Sequence, residues 1–463
     1  MNPDILAHTE SVCPICLRTI AATRIAEGND VYLLKQCPDH GAFKTIIWRG
    51  LESYRHWGEH GSRTAPPPIT ETMAQHGCPH DCGLCPEHKQ HSCCVLLELT
   101  PRCNLRCPIC FASADHAGNE PTLAEIESWL QRLQAHSSPV NIQLSGGEPS
   151  IRDDLPEIIR LTHCMGFDFV QLNTNGILLA KEPDYAKTLK EAGLDCVFLQ
   201  FDGVSDRVYQ HIRGARLLEI KIQAIEHCAQ AHLGVVLVPT LIPNVNVDEI
   251  GAIIAFALAH VPTIRAVHFQ PISYFGRYPK PPADHDRITL PEVMQELEIQ
   301  THGMVHAADF SPGSAENAYC SFSGKFFVDT RGHLSAPAKT TEKCCSTQSG
   351  CGCGAPIPGE DVQRARRVVA GQWAAEQVPK PTAVPSQINI SSLDAFLALR
   401  RHSFSISGMV FQDAWNLDLE RLRECFIHVV SPDRRIIPFC AYNLTAASGQ
   451  ALYRRPHHEH AQV

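Results

Sequence analysis

Between residues 95 and 272, short apolar runs alternate with longer amphipathic stretches. The runs are VLLEL at 95–99, NIQLS at 141–145, FVQLN at 169–173, VFLQF at 197–201, VVLVPTLI at 235–242 and AVHFQPI at 266–272. Runs of this length predict strands. Between them, Leu123, Ile126, Leu130 and Leu133 recur at helical spacing, and 153–166, 184–192, 219–232 and 248–260 are further stretches of helical length. Strands joined through crossovers this long run parallel, with right-handed connections. The pattern predicts an α/β fold of six β-α units. At about thirty residues per unit they suit an open, partial (β/α)6 barrel of TIM type, and on period alone a doubly wound sheet is the alternative.

The flanks read differently. Residues 1–64 form one segment, and 65–94 a Pro-rich linker (Pro66, Pro67, Pro68) followed by a Cys-rich stretch. The barrel is expected over 95–278 and a less regular C-terminal region over 279–453. Within the latter, 343–386 is rich in Cys, Gly, Pro and Ala and reads as a flexible loop or linker, with folded structure resuming near Ile388. The tail 454–463 reads as disordered.

Composition narrows the function. The 463 residues carry 49 acids and 40 bases, a formal charge of -9, so no basic excess exists to neutralise phosphates and nucleic acid is not an expected partner. No apolar run approaches the ~18 residues of a membrane span. The first residues, MNPDILAHTE, lack a secretion signal. The expectation is a cytoplasmic protein, with room for peripheral membrane contact. No P-loop, nucleotide-binding GxGxxG or Ser-His-Asp spacing stands out.

The 21 cysteines change the picture most. Eleven precede Ala112, three lie between there and residue 300, and seven lie from Cys320 onward. Cysteines used as small core hydrophobes would scatter. Clustering in a chain without a secretion signal points to metal rather than disulfides. The first expected strand ends in LELTPRCNLRCPICFAS, with Cys103, Cys107 and Cys110 on one tight loop. Three thiolates can hold three irons of a [4Fe-4S] cube and leave the fourth open to a small molecule. A zinc knuckle is the bland alternative. The second strand ends in Gly146-Gly147-Glu148, where the glycines would let backbone approach a ligand and Glu148 offers a carboxylate to an ammonium.

A CxxxCxxC loop after the first strand, with GGE after the second, resembles the radical SAM superfamily over about 95–275. The resemblance implies that S-adenosylmethionine (SAM) chelates the open iron and that a flavodoxin- or ferredoxin-type donor supplies the electron. Cleavage of SAM then yields a 5'-deoxyadenosyl radical that abstracts hydrogen from an unactivated C–H. It implies that Cys103, Cys107 and Cys110 hold the catalytic cluster, that Gly146, Gly147 and Glu148 hold the SAM amino group, and that backbone near Ile109 and Phe111 faces adenine. Strand-end Asn173, Asn175, Gln200 and Asp202 would face cofactor or substrate; as turn residues they have an ordinary alternative.

Three further Cys sets stand out. Cys13-x2-Cys16 and Cys37-x2-His40 are two knuckles of rubredoxin or zinc-ribbon form, joined by a hairpin turning at Gly28-Asn29-Asp30, and they predict one mononuclear Zn or Fe. Another cysteine could replace His40. Cys78, Cys82, Cys85 and Cys93 offer four thiolates for an auxiliary [4Fe-4S] cluster, or for a second zinc. Two hairpins, 320–338 and 425–440, each begin with Cys, and resemble the twitch and SPASM auxiliary-cluster regions of radical SAM enzymes. By that resemblance Cys320, Cys425, Cys440 and either Cys344 or Cys345 would hold another cluster, giving one or two auxiliary clusters. Cys351 and Cys353 read as loop thiols.

Taken with GCPHDCGLCPEHKQHSC and FSISGMVFQDAWNLDLERLRECFIHVVSPDRRIIPFCAYNLT, the chain resembles the radical SAM group of the archaeal tetraether lipid synthase and the 7,8-dihydro-6-hydroxymethylpterin methyltransferases. Two enzymatic activities are implied. The first is C–C bond formation at an unactivated sp3 carbon of a lipid or other apolar substrate, the main expectation. The second is methylation of a pterin-type heterocycle. A non-catalytic Fe–S electron carrier is the alternative from another class.

Overall fold

The computed structural model describes residues 4–59, 64–67, 69–136, 140–329, 332–337, 359–375 and 402–454. The expected N-terminal hairpin is present within a larger unit. Strands β1 (Asp4–Val12), β2 (Thr19–Glu27), β3 (Asp30–Cys37) and β4 (Gly41–Arg49) form an antiparallel sheet in sequence order. The turn between β2 and β3 places Gly28 at φ +63°, where a side chain would be strained.

The six expected core strands form. They are β5 (Cys94–Thr100), β6 (Asn141–Gly146), β7 (Val170–Thr174), β8 (Cys196–Gln200), β9 (Gly234–Val238) and β11 (Ile264–Pro271), with the short β10 (Thr240–Leu241) pairing beside β11. They lie side by side in that order, all parallel. Helices Leu123–His136, Leu155–Cys164, Tyr185–Ala192, Leu218–Gln230 and Ile250–Ala259 supply the crossovers. Alternation along the strands divides the barrel into layers. Ile142, Leu144, Val170, Leu172, Val197 and Leu199 pack in the main apolar core. Their neighbours one position away point into the barrel, as the period of two requires.

The C-terminal region extends this sheet at both ends. Strand β14 (His402–Met409) joins β11 in parallel, and β12 (Ser321–Val328) pairs antiparallel with it, followed by β13 (Leu334–Ser335). At the other end β15 (Ile427–Val430) joins β5 in parallel and carries β16 (Ile436–Pro438) outside it. Both expected Cys-led hairpins are therefore β12–β13 and β15–β16.

The loop expected over 343–386 is corrected in part: Glu360–Trp373 is a helix. Its face bearing Val369, Ala370 and Trp373 packs on Phe169, just before β7, and on Cys196, Phe198, Val236 and Ala266, on the barrel side of their strands. A Cβ at Gly234, the first residue of β9, would lie 2.4 Å from the Trp373 carbonyl oxygen, so only glycine lets the helix end sit there. Ile388 lies outside the described residues. No helix among the described residues is long and apolar enough to cross a membrane.

Candidate active site and metal centres

A cavity of about 500 Å³ runs inside the barrel, and Cys103, Cys107 and Cys110 all line it. The cysteine loop leaves the carboxyl end of β5 and is held by its backbone. The Cys103 amide donates to Asp115 O at 2.7 Å, and Cys110 and Arg277 exchange amide-to-carbonyl bonds of 2.9 Å. The Arg277 guanidinium donates to the carbonyls of Cys107 (2.9 Å), Ser113 (3.2 Å) and Ala114 (2.6 Å). Arg277 is a positioning residue that sequence reasoning missed; its signal is an arginine shortly after a barrel strand, with no acidic neighbour to pair with.

Burial pushes the Cys103 thiol up to about 12 and raises that of Cys107. Thiolates disfavoured by desolvation become favourable when a cation binds them. Cys103, Cys107 and Cys110, all lining one cavity, fit a [4Fe-4S] cluster whose fourth iron would be left open to SAM.

Gly146 and Gly147 are needed for packing. The Gly147 amide donates to Thr100 O at 2.6 Å and the Glu148 amide to Arg102 O at 2.8 Å. A Cβ at Gly147 would lie 2.0 Å from Arg102 O, and one at Gly146 2.4 Å from Thr100 O. The glycines thus let the end of β6 close against the root of the cysteine loop, while both still line the cavity. Glu148 is buried. Its Oε1 accepts from the Ser150 amide (3.1 Å), Ser150 Oγ (2.6 Å) and Thr174 Oγ1 (2.7 Å), and its Oε2 from the Asn175 amide (2.7 Å). Each carboxylate oxygen has two acceptor positions, and Oε2 uses one for the Asn175 amide, so it retains capacity for an ammonium.

Ile109, Phe111, Asn173, Asn175 and Gln200 line the cavity. Asn175 also donates to Asn104 of the cysteine loop at 2.7 Å. Asp202 does not line it, which corrects that expectation. Its carboxylate is fully buried beneath Arg213, a residue of helix Asp206–Arg213, because a buried charge requires a counter-charge. It is Arg213 that reaches the cavity. Lys221, fully buried, donates to the Asn175 carbonyl at 2.5 Å, and burial brings its ammonium down to about 8. Neither Arg213 nor Lys221 belongs to a motif; each shows only as a cation on the buried side of an amphipathic helix.

In the N-terminal sheet, the ligand atoms of Cys13, Cys16, Cys37 and His40 all lie within 4.8 Å of one another. His40 Nδ1 is 3.6 Å from Cys13 Sγ and 3.4 Å from Cys37 Sγ. This spacing suits one tetrahedral ion with His40 as the fourth donor.

Cys78, Cys82 and Cys85 come together: the Cys82 thiol is raised well above its usual range by a hydrogen bond with Cys78, by burial, and by the charge of Cys85. Cys93 is not with them, which corrects the four-thiolate set. It leads into β5, its amide bonds to Phe426 O at 2.8 Å, and its side chain packs with Ala315, Val362, Met409 and Phe426 against the cavity. Pairing with the sheet draws it away from the loop upstream. Cys320, Cys425 and Cys440 are close enough that burial, then the charges of the other two, raise the Cys440 thiol. Arg421 Nη2 donates to Cys320 Sγ at 3.4 Å and the Gln412 amide to Cys440 Sγ at 3.3 Å. Cys344, Cys345, Cys351 and Cys353 lie outside the described residues.

Residues 97–257 match the family described as the radical SAM superfamily, and 5–49 match the HMPTM N-terminal zinc ribbon domain. The chain is 36% identical over 478 aligned residues to the 7,8-dihydro-6-hydroxymethylpterin dimethyltransferase of Methanocaldococcus jannaschii, covering 94% of this chain and 93% of that protein. It is 31% identical to a GTP 3',8-cyclase of Limosilactobacillus fermentum, over 38% of this chain and 54% of that one. It is 32% identical to an Fe-coproporphyrin III synthase of Methanosarcina barkeri, over 44% and 50%. The alignment thus spans about half the length of the latter two. Among solved structures, SuiB of Streptococcus suis bound to its precursor peptide SuiA shares 14% identity over 46% of each chain, with a TM-score of 0.39.

Proposed function

Because this chain belongs to the radical SAM family that includes the pterin dimethyltransferase of M. jannaschii, we propose that it is a radical SAM methyltransferase acting on a ring carbon of a pterin-type heterocycle. The bound cluster and SAM supply hydrogen-atom abstraction from an unactivated C–H. The chain's own residues hold and shield them. Cys103, Cys107 and Cys110 would ligate the cluster, Arg277 fixes their loop, and Glu148 with the glycines before it would receive the SAM amino group. Ile109 and Phe111 would border the adenine. A flavodoxin- or ferredoxin-type donor remains the proposed source of the electron.

The observation that carries the reading is likeness along nearly the whole chain to a pterin enzyme. Cavity chemistry supports it. A lipid-joining enzyme gains about 0.8 kcal/mol for each methylene it buries and calls for a long apolar tunnel. Here Asn141, Gln143 and Ser145 on β6, and Gln171 and Asn173 on β7, occupy the alternate positions that line the cavity. Amide side chains suit the hydrogen-bonding edge of a heterocycle. This reading displaces the expected coupling of lipid chains.

The test is anaerobic assay of the reconstituted protein with dithionite and SAM. Addition of 7,8-dihydro-6-hydroxymethylpterin should raise 5'-deoxyadenosine formation above the substrate-free rate, and turnover with a one-carbon donor added to supply the methyl group should give the pterin a methyl-sized mass gain. No stimulation by the pterin, with stimulation by a long-chain lipid, would restore the lipid reading.

A further inference from the structure

Three buried polar atoms inside the barrel have no hydrogen-bond partner among the described residues: Asn141 Oδ1, Gln171 Oε1 and Ser405 Oγ. The residues are 1%, 2% and 4% exposed, and all three line the central cavity. Native proteins rarely leave such groups unpaired, because each forfeits its hydration without recompense. Asn141 is also oriented. Its Nδ2 donates to Arg366 O of the helix inside the barrel at 3.2 Å, which leaves Oδ1 as a free acceptor.

The same cavity has an aromatic wall. Phe198 and Trp373 have ring centroids 5.3 Å apart, Phe198 and His268 5.6 Å, and His268 and Trp373 5.9 Å. All three line the cavity. His268 is held by a 2.8 Å contact between Nδ1 and Ser407 Oγ, and burial lowers its pKa to about 4, so the imidazole is neutral near pH 7. A neutral aromatic wall and two orphaned amide oxygens lining one cavity match a flat ring whose edge bears N–H groups. Hydrocarbon would leave both oxygens unpaired.

We propose that this is the substrate subsite, with Asn141 Oδ1 and Gln171 Oε1 accepting hydrogen bonds from the 2-amino-4-oxopyrimidine edge of a pterin and Phe198, His268 and Trp373 covering the ring face. The proposal rests on the pterin reading and adds an orientation. Asn141 opens β6 and Gly146 ends it, about 16 Å further along at the rise of a strand. The aminopyrimidine half is therefore the deep end, and the substituted half of the ring points up toward the cysteine loop. Ser405, on β14 across the barrel, is free to meet a third polar atom of the ligand. Helix Glu360–Trp373 floors the subsite: it supplies Trp373 and orients Asn141.

The test is equilibrium binding of 6-hydroxymethylpterin to anaerobic, fully metallated protein in the presence of SAM. Gln171→Met and Asn141→Leu, each close in volume to the native residue, should weaken pterin binding at least about tenfold while iron content and SAM affinity stay unchanged. With the unaltered protein, 6-hydroxymethyllumazine carries an acceptor oxygen where the pterin has its 2-amino donors, and should bind at least about tenfold more weakly. Native-like pterin affinity in both metallated variants, or equal affinity for the two rings, overturns the subsite and leaves the methyltransferase reading standing. If the unaltered protein binds no pterin, the proposed function falls and the subsite with it. Should a variant lose its iron, the comparison of the two rings decides alone.

Discussion

Arg213 meets Asp202 through two parallel hydrogen bonds of 2.7 Å, from Nε to Oδ2 and from Nη2 to Oδ1, with both side chains buried. The same guanidinium reaches Ile109 O at 3.4 Å, on the cysteine loop. Removing one partner strands the other charge in the interior, a cost of about 3 kcal/mol or more. Asp202→Asn should therefore lower the thermal midpoint by several degrees, and Arg213→Met should do the same. An unchanged midpoint in anaerobic thermal unfolding would show that the pair contributes nothing.

Arg277 and Gly147 hold different parts of the cysteine loop, Arg277 the carbonyls of Cys107, Ser113 and Ala114 and Gly147 its root at Arg102. Gly147→Ala places a methyl group 2.0 Å from the Arg102 carbonyl, where backbone on both sides resists displacement. The expected result is loss of roughly four irons per chain, with the N-terminal metal retained. Arg277→Met removes three bonds to loop carbonyls and should speed cluster loss to a chelator. Iron analysis and the EPR signal of the reduced cluster are the measurements.

The ribbon metal should be separable from the rest. Cys37→Ser should lower the metal content by roughly one ion per chain and expose the loops of β1–β4 to protease, leaving cleavage of SAM intact. The ribbon also docks through Arg24, whose Nε bonds Asp418 at 2.7 Å. Limited proteolysis of the metal-free protein should cut the ribbon before the barrel. Cleavage at the same rate with and without the metal would contradict the assignment.

Lys35 carries a pH dependence. Its ammonium is buried and donates to Ser11 Oγ (3.1 Å), Val12 O (2.8 Å) and Ala414 O (2.8 Å). Burial brings its pKa from 10.5 down to about 7. Between those values the unfolded chain holds a proton that the folded chain has lost, so this group makes stability rise with pH above 7 and stay level below it. The thermal midpoint of the native protein should gain more between pH 7 and pH 9 than that of Lys35→Met. Equal gains would show Lys35 to be protonated throughout.

Much of the fold and part of the site are legible in the amino-acid order. The six core strands stand out because a parallel sheet under helices needs apolar runs of strand length separated by crossovers of helix length. Cys103, Cys107 and Cys110, and likewise Cys13, Cys16, Cys37 and His40, are legible because ligands on one turn must sit at short, regular spacings. A weaker signal is easily passed over. Asn, Gln and Ser at alternate positions in NIQLS, with Gln and Asn likewise in FVQLN, mark the cavity face of strands that would otherwise be apolar on both sides.

By itself, then, the sequence determined what short-range chemistry controls: the period of the strands and helices, and the local knuckles that hold metal. Tertiary structure alone decided which distant groups meet. It took Cys93 from the cysteines upstream because β5 pairing outweighs their spacing, and turned Asp202 from the cavity toward a buried arginine. It set β14 beside β11 and folded Glu360–Trp373 into the barrel, where Asn141 and Gln171 keep oxygens with no partner among the described residues. Such meetings depend on burial and on pairing between segments far apart in the chain, and no local pattern encodes them.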